Sequence, residues 1–496
     1  MKNYFKLMLL VGLVAFYSCN NDDAITFVIP EAENPDPEPE PAPVVALANH
    51  SVTPSFILPQ PGFENLQSFS LFGSADRLPD TPNFRFGGSA DGAGLLANAD
   101  GTFSYIVNCE NNFSVAKVTF DGTFRPVAGE YIYNSIGSDG TRLCSATLAT
   151  PEIHGFGPLF LTAGESGEES VISGVDPNAS SANNTAPQFL PALGRASWEN
   201  AVPLPQTAYD GRTVILLGED DTTSGRITMY ESSLGDLEGG NVYVLVVLDS
   251  DGNPITAENE LGEGETFDVR FERIENAINM TGAEQELAAD GFSAMPFKRV
   301  EDLDYRKGAG NERTVFFNVT GSASSRNPNG TTQGRVYRLD LDSNSAFTGT
   351  LTCVIDGDDP NSILGGLVLQ SPDNITVTEN YAYIKEDPNG GINLSHYSYI
   401  WQYDIANNTI RPAVELDLES GLGDPNDPFG RENASFRSWE YGAMIDVSDV
   451  IGVADTFMVC IQTHTWREDR FINVDGGGMS SDNQGSQVVL IQGLPR

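Results

Sequence analysis

Val214-Ile215-Leu216-Leu217-Gly218-Glu219-Asp220-Asp221 is an apolar, strand-like run that stops on carboxylates, and the chain repeats that phrase along its length. It returns as Tyr105-Ile106-Val107-Asn108-Cys109-Glu110, as Leu159-Phe160-Leu161-Thr162 running up to Glu165, and as Ser197-Trp198-Glu199. Further on it reads Phe297-Lys298-Arg299-Val300-Glu301-Asp302, Tyr381-Ala382-Tyr383-Ile384-Lys385-Glu386-Asp387 and Phe436-Arg437-Ser438-Trp439-Glu440. A strand end is where a backbone scaffold holds a side chain still, so acids at many strand ends point to a shared, oxygen-rich site.

Length and composition narrow the class. A chain of 496 residues exceeds the usual size of one core, so it is several domains or one repetitive architecture. Glycine (50) and proline (29) are plentiful, helical periodicity is scarce, and short runs rich in Val, Ile, Tyr, Phe and Thr recur between Asp/Asn/Gly clusters, which predicts an all-β fold. The net charge of −42 repels nucleic acid and anionic lipid, so neither is expected as a partner, and it invites cations. Two carboxylates about 4 Å apart repel by roughly 4 kcal/mol at an effective dielectric of about 20, and a divalent ion between them reverses the sign.

The first residues read as a targeting segment. Lys2 and Lys6 give a positive end, Leu7 to Tyr17 an apolar stretch short for a membrane span, and Ser18-Cys19 a small residue before a cysteine. This resembles a bacterial lipoprotein signal over residues 1–18, with Cys19 the lipidated first residue, and the acidic Asn20-Asn21-Asp22-Asp23 resembles the tether of Bacteroidetes surface lipoproteins. Residues 19–50 include an acidic proline-rich tract, an extended spacer, and residues 51–496 are the body. The expected location is the cell envelope, on the outer membrane, with the membrane touched only through the lipid. A second low-complexity stretch, Asn178 to Pro187, reads as a surface loop.

Cys109, Cys144, Cys353 and Cys460 are scattered, without C-x-x-C spacing, and Cys353 and Cys460 inside apolar runs read as buried thiols. Cys109, beside Glu110, is the one cysteine weighed as a ligand. From Val52 to Gln492 the texture does not change. Hairpin punctuation is read at Asp100-Gly101, Asp121-Gly122, Ser138-Asp139-Gly140, Asp210-Gly211, Asp251-Gly252 and Asn389-Gly390. Serial hairpins without helical crossovers suit a set of sandwiches or a β-propeller, and the propeller accounts better for the acids, because its radial blades point equivalent strand ends at one channel.

These phrases carry a resemblance to the PhoX-type alkaline phosphatases and their wider β-propeller relatives, in order and over most of the chain after the spacer. Asp91-Gly92 with Val107-Asn108-Cys109-Glu110 resembles that family's first-blade V-N-H-E phrase, Leu161-Thr162-Ala163-Gly164-Glu165 its L-T-x-E-E, and Leu193-Gly194-Arg195-Ala196-Ser197-Trp198-Glu199-Asn200 its L-G-R-x-x-H-E. Gly218-Glu219-Asp220-Asp221 is similar to a G-D-D turn and Arg299-Val300-Glu301-Asp302 to R-P-E-D. Ser371-Pro372-Asp373-Asn374 with Lys385-Glu386-Asp387, and Trp439-Glu440-Tyr441-Gly442 with Ile461-Gln462-Thr463-His464, resemble the later phrases. The resemblance implies six blades, a calcium and iron cluster in the channel, and metal ligands at Glu110, Glu165, Glu199, Glu301, Asp373, Glu386 and Glu440, with Asp220 or Asp221 as an eighth. Calcium takes about six to eight oxygen ligands, which a ring of carboxylates supplies.

The departures bear on mechanism. Gly164-Glu165-Ser166 lacks one of two adjacent acids, Cys109 stands where the family usually carries His, and Trp198 where it often carries His or has a W-E-N variant, which puts iron in question unless Cys109 supplies a thiolate. Arg195, Arg299 and Lys385 are the cations within the phrases able to hold a phosphate, and each also suits an ion pair with neighbouring acids. No H-x-x-x-H pair and no G-x-S-x-G phrase is present, His464 suits either the channel or packing near Trp466, and Asp249 to Asn253 reads as a hairpin turn rather than a calcium loop. The expected function is calcium-dependent hydrolysis of exported organic phosphate esters by a monomer, with Glu165 and Arg195 as catalytic candidates. The alternative is a calcium-loaded propeller lipoprotein that binds a ligand or partner without catalysis.

Overall fold

The strand Phe103–Cys109 shows why the runs are nearly continuously apolar. Tyr105, Val107 and Cys109 enter one buried cluster with Leu71 and Val488, while the intervening Ile106 enters another with Ile132, Leu143 and Phe160. Arg212–Glu219 behaves alike, with Leu216 on one side and Ile215 and Leu217 on the other. Successive side chains of a strand point to opposite faces, so a sheet covered on both faces needs apolar residues at every position. Each fully buried Leu, Ile or Val contributes about 1.5–3 kcal/mol, and the apolar layers lie between successive sheets.

The computed structural model describes residues 44–388 and 391–496. The expected signal segment, Cys19, most of the tether and the Asn389-Gly390 turn lie outside the described residues. The body begins ahead of the expected boundary at residue 50, since Ala46 N donates to Thr123 O, and Val45 and Leu47 pack on the core.

The chain is all-β and propeller-like. Its sheets are antiparallel meanders: Ala90–Ala97 to Pro126–Tyr133, Leu143–Ala149 to Ser173–Val175, Pro372–Val377 to Thr409–Leu416, and Glu440–Asp446 to Gln484–Gln492. The fifth sheet is ten-stranded and nearly closed, with Thr266–Ile274 joining the meander Trp198–Pro203 to Asn241–Leu248 to the meander Val300–Tyr305 to Ser345–Asp356. Terminal strands complete two sheets: Gln67–Gly73 pairs with Gln484–Gln492, and Ile57–Pro59 with Thr409–Leu416. The first strands of the meanders pack in series, each on the next, and Glu440–Asp446 packs back on Ala90–Ala97.

The punctuation holds at four turns. Asp100-Gly101, Asp121-Gly122, Asp210-Gly211 and Asp251-Gly252 each join paired strands, and Asp249 Oδ1 accepts from Asp251 N and Asn253 N in an ordinary turn. Ser138-Asp139-Gly140 does not: it links Pro126–Tyr133 to Leu143–Ala149, which belong to different sheets. A ten-residue helix, Gly282–Gly291, is an addition to the expected plan, capped by Thr281 and Glu284, each accepting from the other's N–H. Among the described residues no helix is long and apolar enough to cross a membrane.

Candidate metal centre

The strands of the inner ring share one irregularity. Pairing to the neighbouring strand slips between Ala90 and Ala93, Leu143 and Ala146, Trp198 and Asn200, Val300 and Leu303, Pro372 and Ile375, and Tyr441 and Met444. A bulge inserts a residue and re-aims its side chain. The residues at the slips include Asp91, Cys144, Glu199, Glu301 and Asp373. The ends of the second strands bring Glu110, Glu165 and Asp220 to the same place, since antiparallel neighbours end where inner strands begin. Glycines permit the close approach: a Cβ on Gly92 would lie 2.2 Å from Ala146 N, and one on Gly442 2.3 Å from Ala90 O.

The donors form three groups that share members: Asp91, Glu110 and Cys144; Cys144, Glu165 and Glu199; Glu199, Glu301 and Asp373. Within each group the ligand atoms lie within 4.8 Å of one another, close enough for a common metal ion. Burial is the main force pushing these carboxyls above their ordinary range, opposed at Glu110 by Arg142 and reinforced at Glu199 by Glu301 and Asp373. Glu110 is pushed up to about 7, and Asp91, Glu301 and Asp373 also rise, chiefly through burial. Neighbouring buried acids without a cation favour the protonated form.

Buried amides hold the frame. Asn374 Nδ2 donates to Asp91 Oδ1 at 3.1 Å and Ser145 Oγ at 2.7 Å. Asn108 Nδ2 donates to Cys144 O, and Thr162 Oγ1 to Asn108 Oδ1 at 3.0 Å, so the first phrase pins the strand that carries the thiol. Cys144 Sγ donates to Glu165 Oε2 at 2.9 Å.

Of the sequence-predicted ligands, Glu110, Glu165, Glu199, Glu301 and Asp373 are in these groups. Glu440 lies beside them, hydrogen-bonded to Asp387 and 3.1 Å from His464 Nε2, so His464 faces the acids rather than only packing near Trp466. Asp220 is held by Arg299 at 2.8 and 3.1 Å, and Asp221 instead accepts Thr223 N and Ser224 N in a turn. Glu386 corrects the expectation. Its oxygens accept from Gln370 N (2.7 Å), Tyr399 N (2.9 Å) and Trp401 Nε1 (2.8 Å) and meet His396 Nε2 at 2.9 Å, so they are saturated away from the cluster and the next residue, Asp387, faces it.

Two further expectations change. Cys109 lies in the apolar core with its thiol pushed up to about 12 by burial, and Cys144 takes the place among the acids. All four described cysteines are buried and free. Arg195 is turned away, with Nη1 on Glu169 O at 3.2 Å, whereas Arg142, in none of the phrases, reaches Glu110 at 3.4 Å and Glu165 at 3.3 Å. Arg299 pairs with Asp220 and Glu301, as an ion pair with neighbouring acids requires. Lys385 is wholly buried, donates to Thr376 Oγ1 at 2.8 Å, and is pushed down to about 8 by burial against the pull of Asp302. Asp302 accepts from Asn200, Leu303 N and Ile375 N, a structural role. Asp91, Cys144, Asp387 and Arg142 are the site residues missing from the expected set. Only Asp91 and Asp387 carried a signal, as members of quoted phrases.

No family model matches the sequence, and no curated protein matches it. Solved structures do. PhoX of Pseudomonas fluorescens, in complex with vanadate, a transition state analogue, matches with a TM-score of 0.61 at 14% identity, over 90% of this chain and 98% of that one. The AfRom2 CNH domain follows at 0.33 and 8% identity, covering 87% and 100%, and a post-proline cleaving enzyme of Rickettsia typhi at 0.26 and 7%, covering 75% and 49%. The first of these establishes a PhoX-like fold.

Proposed function

We propose that this chain is a metal-dependent phosphoesterase on a six-bladed propeller, two of whose blades are fused into the ten-stranded sheet through Thr266–Ile274. The observation that carries the reading is the run of seven donors from Asp91 to Asp373, in groups linked through Cys144 and Glu199. The donors suit metals: carboxylate oxygens favour calcium, and the groups that contain the Cys144 thiol suit iron as well. Buried acids stabilised by so few N–H donors need cations to be ionised together. Cations held by Asp91, Glu110, Cys144, Glu165, Glu199, Glu301 and Asp373 would supply positive charge to offset that on a phosphate ester and its leaving oxygen.

The chain's own groups do the rest. Arg142, its side chain 44% exposed, and Arg299 flank the acids and are placed to hold phosphate oxygens once cations take over their carboxylate partners. His464, against Glu440 through Nε2 and Gln484 through Nδ1, is the group able to move a proton. Glu165 positions the Cys144 thiol. The proposed substrates are small organic phosphate esters outside the inner membrane, acted on by a monomer anchored through Cys19 on the outer membrane.

The purified protein, supplied with calcium and ferric iron, should release phosphate from an aryl phosphomonoester at alkaline pH. Vanadate should inhibit, and chelator or Glu165→Gln should abolish the activity. No turnover above a buffer blank, for mono- or diesters, would sink the phosphoesterase reading. The second reading, a calcium-binding propeller without catalysis, is favoured by Ser166, which stands where a second acid belongs and whose hydroxyl accepts Arg142 N at 3.0 Å. Gain of iron and rate in Ser166→Glu, over an inactive wild type, would favour it.

A further inference from the structure

Beside the acid cluster lies a separate cavity of about 250 Å³, walled by the strand ends at Trp198 and Glu219 and by the helix Gly282–Gly291. Asp220 faces Arg299 and the cluster, and its neighbour Glu219 lines this cavity instead. Glu219 is only 8% exposed, and its carboxylate accepts no hydrogen bond among the described residues. In the same wall the hydroxyl of Thr228, on the strand paired with that of Glu219, also lacks a partner. Buried polar groups are nearly always satisfied, so the unpartnered Thr228 hydroxyl, in the same wall as a Glu219 carboxylate that accepts no hydrogen bond and opens to the cavity, points to a missing donor.

The surroundings choose the donor. Arg226, 2% exposed, is in the wall, yet its N–H groups go to Glu286, Asp290 and the carbonyl of Ala294. Arg195 is bound to Glu169 O. With both guanidinium groups engaged, and Glu168 and Asp221 also in the wall, an anion finds no free cation and meets like charge. A divalent metal needs several converging donors, and among the described residues Glu219 belongs to no such group. Trp198, Val244, Ile274 and Ala289 supply apolar wall and an aromatic ring.

We propose that this cavity binds a primary alkylammonium, its N–H donors on Glu219 and Thr228 and its short apolar chain along Val244, Ile274 and Ala289 beside Trp198. The site is distinct from the metal centre and stands whether or not the phosphoesterase reading does.

The test is calorimetric titration of the calcium-loaded full chain with n-butylammonium chloride at constant ionic strength. Wild type should bind saturably, and sodium and tetramethylammonium, which have no N–H to offer, should not compete. Glu219→Gln keeps the shape, removes the charge and should weaken binding about tenfold or more. Ala289→Leu fills the cavity from the helix and should block binding with Glu219 intact, which covers the case of a misfolded first variant. Absence of saturable binding, competition by sodium at equal concentration, or unchanged affinity in whichever variant is folded would overturn the proposal.

Discussion

Glu199→Gln separates the roles of a clustered acid, because it should change stability in opposite directions with and without metal. Glu199 belongs to two donor groups, and one of its oxygens lies within 4.8 Å of an oxygen of Glu301 and of Asp373. At that distance two ionised carboxylates repel by about 3.5 kcal/mol at an effective dielectric of about 20. Burial, Glu301 and Asp373 therefore push Glu199 well above its ordinary 4.5. With its folded pKa raised, the acid's contribution is whole below the unfolded pKa and is lost as pH rises toward the folded one. An acid that keeps its proton when folded loses about 1.36 kcal/mol of stability per pH unit above the unfolded value. As pH rises above the ordinary carboxylate range the metal-free protein should thus lose stability through Glu199. In chelator, the glutamine variant should gain on wild type as pH rises from 6 to 8. In calcium it should be the less stable of the two and hold less metal, since it has lost a donor shared by two groups. Urea unfolding of both proteins at each pH, with and without chelator, measures this. Parallel pH dependence in chelator, or equal calcium content, would refute the reasoning.

The neighbouring pair Glu386 and Asp387 should divide fold from site. Glu386→Gln sets an amide against the N–H groups of Gln370, Tyr399 and Trp401, so it should cost about 2–4 kcal/mol in urea unfolding and leave metal content unchanged. Asp387→Asn should do the reverse by elemental analysis. His154 is buried, accepts Thr150 N, and is pushed down to about 4 by burial and Lys307. Its stabilisation should be whole above about pH 6.5 and fall by up to about 3 kcal/mol as pH drops toward 4, a loss that His154→Gln should not share when unfolding is followed between pH 7 and pH 4.5.

Sequence by itself determined the all-β class, because sheets covered on both faces demand the apolar runs that begin at Tyr105, Leu159 and Val214. It also placed acids at strand ends and buried Cys353 and Cys460, all local consequences of hydrophobicity. The helix Gly282–Gly291 was not read from the sequence, because so short a polar helix gives little periodic signal. Which side chains meet was decided only by the tertiary structure. A one-residue slip turns a strand's side chains to the other face, so the bulges in the inner strands, invisible as local patterns, brought Asp91 and Cys144 inward, while contacts with Gln370, Tyr399 and Trp401 hold Glu386 away from the cluster. The same holds for cations: Arg195 sits in a phrase and points away, while Arg142 reaches Glu110 and Glu165 because two strands distant in sequence end side by side. Convergence of that kind depends on long-range packing of one sheet on the next, which no single run encodes.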